Sequence, residues 1–399
     1  MTLSVLVEPT DPLFFRSSIP FDAGETTYTA SIFPPSASSG YGLSRAFVLE
    51  HLCKNIRKYV QSGCDNCPSA AGCHAREVVG NPSKRDGSLR TKGPYIMHDN
   101  QCRYPVPMDL TQKGEERGLL PGLVTDKPIR TDLGMTRLPT AEDGRLFRDW
   151  GHTHTISEAS LSKYLSGEPV DRNDLVPVTC DPLLTPEWDW KKTPHHAVYE
   201  RRTGIARDLR TRATREGHLY HIVLARMREN AQLMITLDGL NEQEARMKES
   251  LLLSFGGENR LAKVKPVDHG SKIATPKGDV ISSSGRFKLV LLQHADFDGS
   301  WLPPGFKPQE NEGITTWTGT LNGLELRLIT ARTGKAVQVG GWDMTGKRPR
   351  ELRTLVPAGS VYYFESGSSK AQEIVQALHD RCVGLDTQIG LGHAVIGVW

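Results

Sequence analysis

No stretch of this sequence is apolar for anything near the roughly 20 residues that a helix needs to cross a bilayer, so no membrane partner is expected. The first residues, Met1 to Pro9, carry neither a basic patch nor a long apolar one. A secretory signal is not read there, and a cytoplasmic location is predicted. Cysteine is sparse, with seven in 399 residues. In a reducing compartment so few thiols do not make a disulfide framework. An excess of one charge is also missing, since 49 Lys and Arg stand against 46 Asp and Glu, a net +3. Motifs that announce an enzyme are absent too: there is no HExxH, no Walker loop, no Ser/His/Asp signature and no organic-cofactor motif.

What the chain does have is unevenly placed positive charge. Arg201, Arg202, Arg207, Arg210, Arg212 and Arg215 stand against Asp208 alone between residues 201 and 215. Further basic runs hold Lys84, Arg85, Arg90 and Lys92, and Lys347, Arg348, Arg350 and Arg353. Local patches rather than net charge set the attraction to phosphate. Each run alone also reads as a solvated face; three together point toward an anionic polymer.

The length allows two large cores, and 38% apolar with 24% charged residues is a globular balance. Residues 3–7 read as a strand. Residues 41–60 read as a helix, with Leu43, Phe47, Leu52, Ile56 and Tyr59 near one face and Ser38 or Ser39 as its cap. Residues 61–103 look like a polar, cysteine-bearing insertion, and 105–200 like long loops with small hairpins. The second half is more regular. Residues 219–227, 233–237, 287–293, 361–364 and the terminal run read as strands, and 241–253 and 370–379 as helices. A hairpin is expected around Thr333-Gly334-Lys335. The expected class is α+β, built from two ferredoxin-like (RRM-like) domains with long loop and hairpin insertions, divided as 1–200 and 201–399. The loop Gly390-Leu391-Gly392 before the terminal strand suggests backbone laid flat against a large partner.

An ordered series of boxes sharpens this. It runs Asp11-Pro-Leu-Phe-Phe-Arg16, Ile32-Phe-Pro-Pro35, Gly40 to Ala46, Lys92-Gly-Pro94, and Tyr104 to Leu110. It continues with Thr203 to Ala206, Glu216 to Tyr220, Gly256 to Arg260, Gly340-Gly-Trp-Asp343, Pro357 to Tyr362 and the terminal glycine loop. The series resembles the third-subunit family of the Cmr complex, the type III-B CRISPR effector, within the RAMP superfamily. The resemblance implies a non-catalytic RNA-binding subunit that caps the 5′ handle of the CRISPR RNA (crRNA) in antiviral defence. It also implies docking to the large polymerase/cyclase subunit and to the first backbone RAMP subunit. Gly390 and Gly392 match the superfamily's glycine loop; His393 stands where an Arg or Lys is usual.

A single-stranded RNA needs cations for its phosphates and planar groups for its bases. Tyr41 and Arg45 lie one helical turn apart beside a helix N-terminus, which favours phosphate; Tyr41 fits a core equally well. Arg16, Arg207, Arg210, Arg212, Arg260, Lys347 and His393 complete the RNA-binding candidates, Arg260 also reading as a lock on its own turn through Glu258. Cys64, Cys67 and Cys73 bring three thiols within ten residues, and a CxxC is the usual chelating half of a zinc site. A structural zinc held by these with Cys102, His74 or His98 as fourth ligand is expected, against a reading of unliganded thiols. Cys53, Cys180 and Cys382 read as buried thiols. Two rival functions remain: a RAMP-type endoribonuclease processing precursor CRISPR RNA through His152, His154, His195 or His196, and a protein-only scaffold of a related type III effector.

Overall fold

The computed structural model describes residues 1–16, 28–64, 67, 72–82, 86–112, 118–140, 150–151, 153–182, 192–268, 270, 273–275, 281, 285–343, 348–366 and 371–399. The chain is α+β and strand-rich. It divides into two compact units, each assembled from three segments. One comprises Met1–Asn100, Val178–Gly270 and Gln338–Leu352; the other Gln101–Pro177, Ser271–Val337 and Arg353–Trp399. The units therefore interleave along the chain, where the sequence suggests a single boundary near residue 200.

The first unit is built on an antiparallel sheet in the order Arg90–His98, Ala231–Asp238, Leu3–Pro9, Leu261–Val267, Leu251–Ser254. The alternation of Leu3, Val5 and Val7 points those side chains into the core, where each is buried. Helix α1 (Ala37–Leu52) is capped by the Ser36 hydroxyl, which accepts from Ser39 N–H, and buries Tyr41, Leu43, Phe47 and Val48. Gly40 lets it approach the sheet, since a Cβ there would stand 2.9 Å from the Pro94 ring. The expected helix over 41–60 is broken at Cys53-Lys54-Asn55, after which α2 (Ile56–Ser62) begins, followed by α3 (His74–Val79). The polar insertion is shorter than 61–103, because Arg90–His98 is a sheet strand buried over most of its length. No helix forms over 241–253. Asn241 and Glu244 cap each other reciprocally, but only one turn, Glu244–Arg246, follows before the edge strand Leu251–Ser254.

The second unit holds a seven-stranded sheet in the order Lys307–Asn311, Ile314–Leu321, Leu324–Arg332, Val361–Glu365, Arg286–Leu291, His393–Gly397, Arg381–Cys382. Phe287, Leu289, Leu328, Tyr362, Phe364 and Ile396 fill its core under the buried Ile374 and Leu378 of helix α5 (Ala371–Leu378). The hairpin lies not at Thr333-Gly334-Lys335 but at Asn322-Gly323, both in the left-handed region, with Leu321 paired to Leu324. Asn-Gly is the dipeptide that such a two-residue turn demands. The stretch expected to be loops also forms helix α4 (Glu158–Leu165), capped by Ser157.

Four neighbouring strands of each sheet share one arrangement. Numbered along the chain, they stand fourth, first, third, second: Leu261–Val267, Leu3–Pro9, Ala231–Asp238, Arg90–His98 in the first unit, and His393–Gly397, Arg286–Leu291, Val361–Glu365, Leu324–Arg332 in the second. In the first unit a helix follows the first of these strands; in the second, a helix follows the third.

The interior of the second unit also contains ionisable groups. Asp109, fully buried, accepts from Tyr164 Oη at 2.6 Å and Tyr363 Oη at 2.7 Å. Lys288, 1% exposed, lies with its Nζ 3.6 Å from the centre of the Tyr164 ring. Burial pulls the Lys288 ammonium down to about 8, partly offset by Asp109. Burial and then the Asp109 charge push both phenols well above their usual value.

Candidate nucleic-acid interface

The arginine run between 201 and 215 occupies a long antiparallel hairpin, Ala197–Arg207 with Thr214–Met227. The short strand Tyr28–Ala30 pairs beside it in parallel, and Thr179–Cys180 flanks the other edge. An Asx turn closes the tip: Asp208 Oδ1 accepts from Arg210 N–H at 2.9 Å, Thr211 N–H at 2.7 Å and Thr211 Oγ1 at 3.1 Å. Those donors hold the Asp208 carboxyl below its usual range. The one acid of the run is thereby spent on turn geometry.

Toward the base of the hairpin the guanidiniums are neutralised. Arg201 pairs with Asp181 at 3.0 Å, and Glu200 is shared by Arg202 and Arg226, with Arg226 first in holding it ionised. Toward the tip they are not. Arg207, Arg210, Arg212 and Arg215 are exposed, and among the described residues no acid pairs with any of them. Arg207 Nε instead donates to the Arg212 carbonyl at 3.3 Å, tying the two sides of the turn together. Apolar and planar groups accompany the charge. Leu209 at the tip is 93% exposed, and Ile205, Leu219, Tyr220 and Tyr28 are also exposed. Register places Tyr28 opposite His221, and Gly204 opposite Tyr220, whose ring occupies the space a side chain at 204 would need. Cations interleaved with accessible rings can hold phosphates and stack bases.

Other expected RNA-binding residues have different surroundings. Tyr41 is 4% exposed in the core. Arg45 points inward: Nη2 donates to Tyr59 Oη at 2.6 Å and to the Asn81 carbonyl at 2.9 Å, with the Tyr41 ring 5.8 Å away. It stitches α1 to α2 and the loop after α3. Arg260 faces Asp11 at 3.9 Å, not Glu258. Arg16 is exposed, in a β-bridge to Ser31. Gly390, Gly392 and His393 are interior. Gly392 takes φ +69° and approaches Val383, and His393, 2% exposed, meets Asp380 at 2.8 Å. The close backbone approach that Gly392 permits is therefore to this chain itself, and His393 is turned away from solvent. Lys347 lies outside the described residues. Tyr28, Leu209 and Tyr220 are not among the RNA-binding candidates read from the sequence, although Tyr220 ends one of its boxes; the pattern Arg207-Asp-x-x-Thr211 between two alternating runs signals the turn that makes Tyr220 part of the same hairpin as the arginines.

Of the histidines proposed as nuclease bases, His152 lies outside the described residues. His195 and His196 are 1% and fully buried; the His195 ring nitrogen Nδ1 lies 2.8 Å from the Thr193 carbonyl, and His196 Nδ1 lies 2.8 Å from that of His98. His154 is half-buried against Thr153, with burial lowering its proton affinity. Among the described residues no three His, Cys, Asp or Glu side chains are already gathered closely enough to hold a metal.

The family model described as "CRISPR-associated protein (Cas_Cmr3)" matches residues 5–399. The chain belongs to that family. It is thus a Cmr-type subunit of a type III CRISPR effector, as the boxes imply. A comparison with the curated proteins returns no match. Among solved structures, a chain of the type III-B Cmr-beta complex bound to cognate target RNA and AMPPnP is 15% identical, with 90% of this chain and 86% of that chain covered and a TM-score of 0.46. A chain of the Csm3–Csm4 subcomplex of the type III-A interference complex is 12% identical, with coverage of 100% and 99% and a TM-score of 0.35. Several boxes that carry the family resemblance meet in pairs within one unit. Gly257 N–H donates to the Phe14 carbonyl at 2.8 Å, joining the Gly256 and Asp11 boxes, and Met108 N–H donates to the Gly359 carbonyl at 2.8 Å, joining the Tyr104 and Pro357 boxes.

Proposed function

We propose that this subunit is non-catalytic and grips the 5′ handle of the CRISPR RNA through the hairpin of residues 197–227. The observation that carries the reading is the cluster of Arg207, Arg210, Arg212 and Arg215 without acid partners among the described residues, beside exposed Tyr28 and Tyr220. Unpaired exposed guanidiniums keep their attraction for phosphate, whereas the paired ones at the base of the hairpin have lost most of it. The register sets Tyr28 and Tyr220 on opposite faces of the hairpin, so a short tag read along its backbone stacks on one of these rings, which needs no deep pocket. We read both sheets as ferredoxin-like, each with one of the two usual helices, on the strand order they share. Docking to the large polymerase/cyclase subunit and to the first backbone RAMP subunit rests on family membership. The assignment of no catalytic role is supported by the enclosure of His195 and His196, which leaves neither imidazole presented to a 2′-OH.

The test is a triple reversal, Arg207→Glu, Arg210→Glu and Arg212→Glu, in the assembled effector. Retention of crRNA is expected to fall at least about tenfold, since each lost phosphate contact removes counterion-release energy, while partner subunits still copurify. Unaltered crRNA retention would sink the reading. Incubation of the isolated chain with repeat RNA separates it from the nuclease alternative: site-specific cleavage lost on a histidine substitution reverses the proposal.

A further inference from the structure

A cleft of about 650 Å³ opens in the first unit at the foot of the hairpin, where His98 ends its strand and Arg228 to Asn230 turn into the strand Ala231–Asp238. That volume falls in the range of small-molecule sites. The arginine tip is far from it: the strand Ala197–Arg207 has 11 residues, so tip and cleft stand about 33 Å apart. Lys192 and Arg228 supply the positive charge of the lining, and the Thr193 carbonyl, which accepts from Arg228 Nη1 at 3.3 Å, keeps the two together. Arg226 is neutralised by Glu200. Val198 and Met227 add apolar wall. At Asp99 and Glu229 the cleft adjoins a second hollow of about 360 Å³, which Asn100, Asn230 and Gln232 line with those same acids. One end is therefore cationic, and the other carries carboxylates and amides. His195, 1% exposed, also borders the cleft. Its Nδ1 lies 2.8 Å from the Thr193 carbonyl, which can only accept, so that nitrogen carries the proton. Burial lowers the proton affinity of the ring and leaves Nε2 a bare acceptor. Nε2 is enclosed and has no hydrogen-bond partner among the described residues. Such an orphan costs about 1–3 kcal/mol until a donor meets it.

We propose that this cleft binds a free mononucleotide, with its phosphate on Lys192 and Arg228, its base against Val198 and Met227, and the amino edge of the base turned toward His195 and the carboxylate and amide end. The mixed lining selects this class. A bare inorganic anion gains from the two cations but is repelled by Asp99 and Glu229, and it has no use for the amides. An uncharged nucleoside leaves the cations idle. A nucleotide carries charge at one end and hydrogen-bonding groups at the other, in the same polarity as the cleft. Asn and Gln amides match the edges of bases, which offer donors and acceptors side by side. A continuous strand fits less well, because it carries a phosphate on both sides of each base and one of them would lie against the carboxylates. A base amino group reaching the floor also supplies the donor that the chain itself does not give His195 Nε2.

Equilibrium dialysis of the full chain against radiolabelled adenosine 5′-monophosphate is expected to show one nucleotide bound per chain. Adenosine and inorganic phosphate, each offering half of the ligand, should bind at least about tenfold more weakly, the worth of one charge-assisted hydrogen bond. Lys192→Glu, at an exposed position that folding does not depend on, should weaken the nucleotide by at least the same factor and leave adenosine unaffected. His195→Phe should weaken both. The triple reversal at the hairpin tip should leave nucleotide binding intact, so this site and the RNA reading of the hairpin stand or fall separately. No binding at millimolar nucleotide overturns the proposal. So does inorganic phosphate bound as tightly as the nucleotide, or indifference to Lys192→Glu. Photocrosslinking of crRNA to residues 192–198 in a chain that ignores the mononucleotide assigns the cleft to a strand and overturns it as well.

Discussion

Lys288 is a lysine in a place where lysines are rarely found. Its head group lies over the Tyr164 ring and feels the Asp109 charge, and two tyrosine hydroxyls donate to that carboxylate. The charged ammonium is stable in solvent and penalised here, so the folded state releases its proton at about 8 and the unfolded chain at the ordinary 10.5. Between those values the unfolded state binds more protons, and stability rises with pH. Tyr164 and Tyr363 have the opposite sign: their raised pKa values contribute stability that is whole below about 10 and lost above it. The cluster therefore predicts a stability maximum near pH 10, reached by a climb of roughly 2 kcal/mol from pH 8. Urea midpoints across that range should show the climb in the parent and not in Lys288→Met. A second residue-level prediction concerns Gly392, at φ +69° with the Val383 backbone pressed against it. Gly392→Ala should cost at least about 2 kcal/mol, read as a lowered urea midpoint. The glycines of this loop are legible in the sequence as sites of close approach; what they approach is not. The partner, Val383, lies across a turn whose geometry depends on where Asp380 meets His393, and nothing in local periodicity encodes that meeting.

At the scale of elements, several core strands announce themselves, Arg90–His98 is hidden in what reads as a polar insertion, and the helices are harder to read. Leu3–Pro9, Ala231–Asp238, Val361–Glu365 and the terminal strand follow from apolar alternation or short apolar runs. The failures have physical causes. Asn241 and Glu244 make a sound capping box, but the strand Leu261–Val267 pairs with Leu251–Ser254 and stops the helix after one turn. The turn at Thr333-Gly334 loses to Asn322-Gly323, whose two residues both accept positive φ. In the hairpin of residues 197–227 the arginines were visible as a run, yet the division between neutralised base and bare tip depends on Asp181 and Glu200, which only the register brings alongside. Arg45 shows the converse: helical spacing puts it beside Tyr41, and only the fold shows both facing inward. If the rings of the hairpin stack bases, Tyr220→Ala should weaken RNA binding about tenfold with no change in thermal midpoint, measured on the assembled complex. Unchanged binding would confine recognition to the arginines.

On the scale of the whole molecule, the two units are woven from alternating stretches of chain, and a cut at residue 200 respects neither. A fragment of residues 1–200 lacks both neighbours of its own central strand, Ala231–Asp238 and Leu261–Val267. It is expected to be unfolded or aggregated, without the cooperative transition of the full chain; a folded 1–200 fragment would contradict the division described above. The ion pairs and buried phenols of the second unit likewise join segments far apart in sequence, such as Asp109 with Tyr363.

The position of Leu3–Pro9 between those two strands has a consequence in time. It leaves the ribosome well before its nearer partner, Ala231–Asp238, which is made more than two hundred residues later. At roughly 5–20 residues per second that interval is about ten to forty-five seconds. Throughout it, an apolar strand with two open edges waits in the company of whatever else is nascent. A chain built this way gains from slow release, from chaperones that bind extended apolar segments, and from the prompt arrival of its sister subunits.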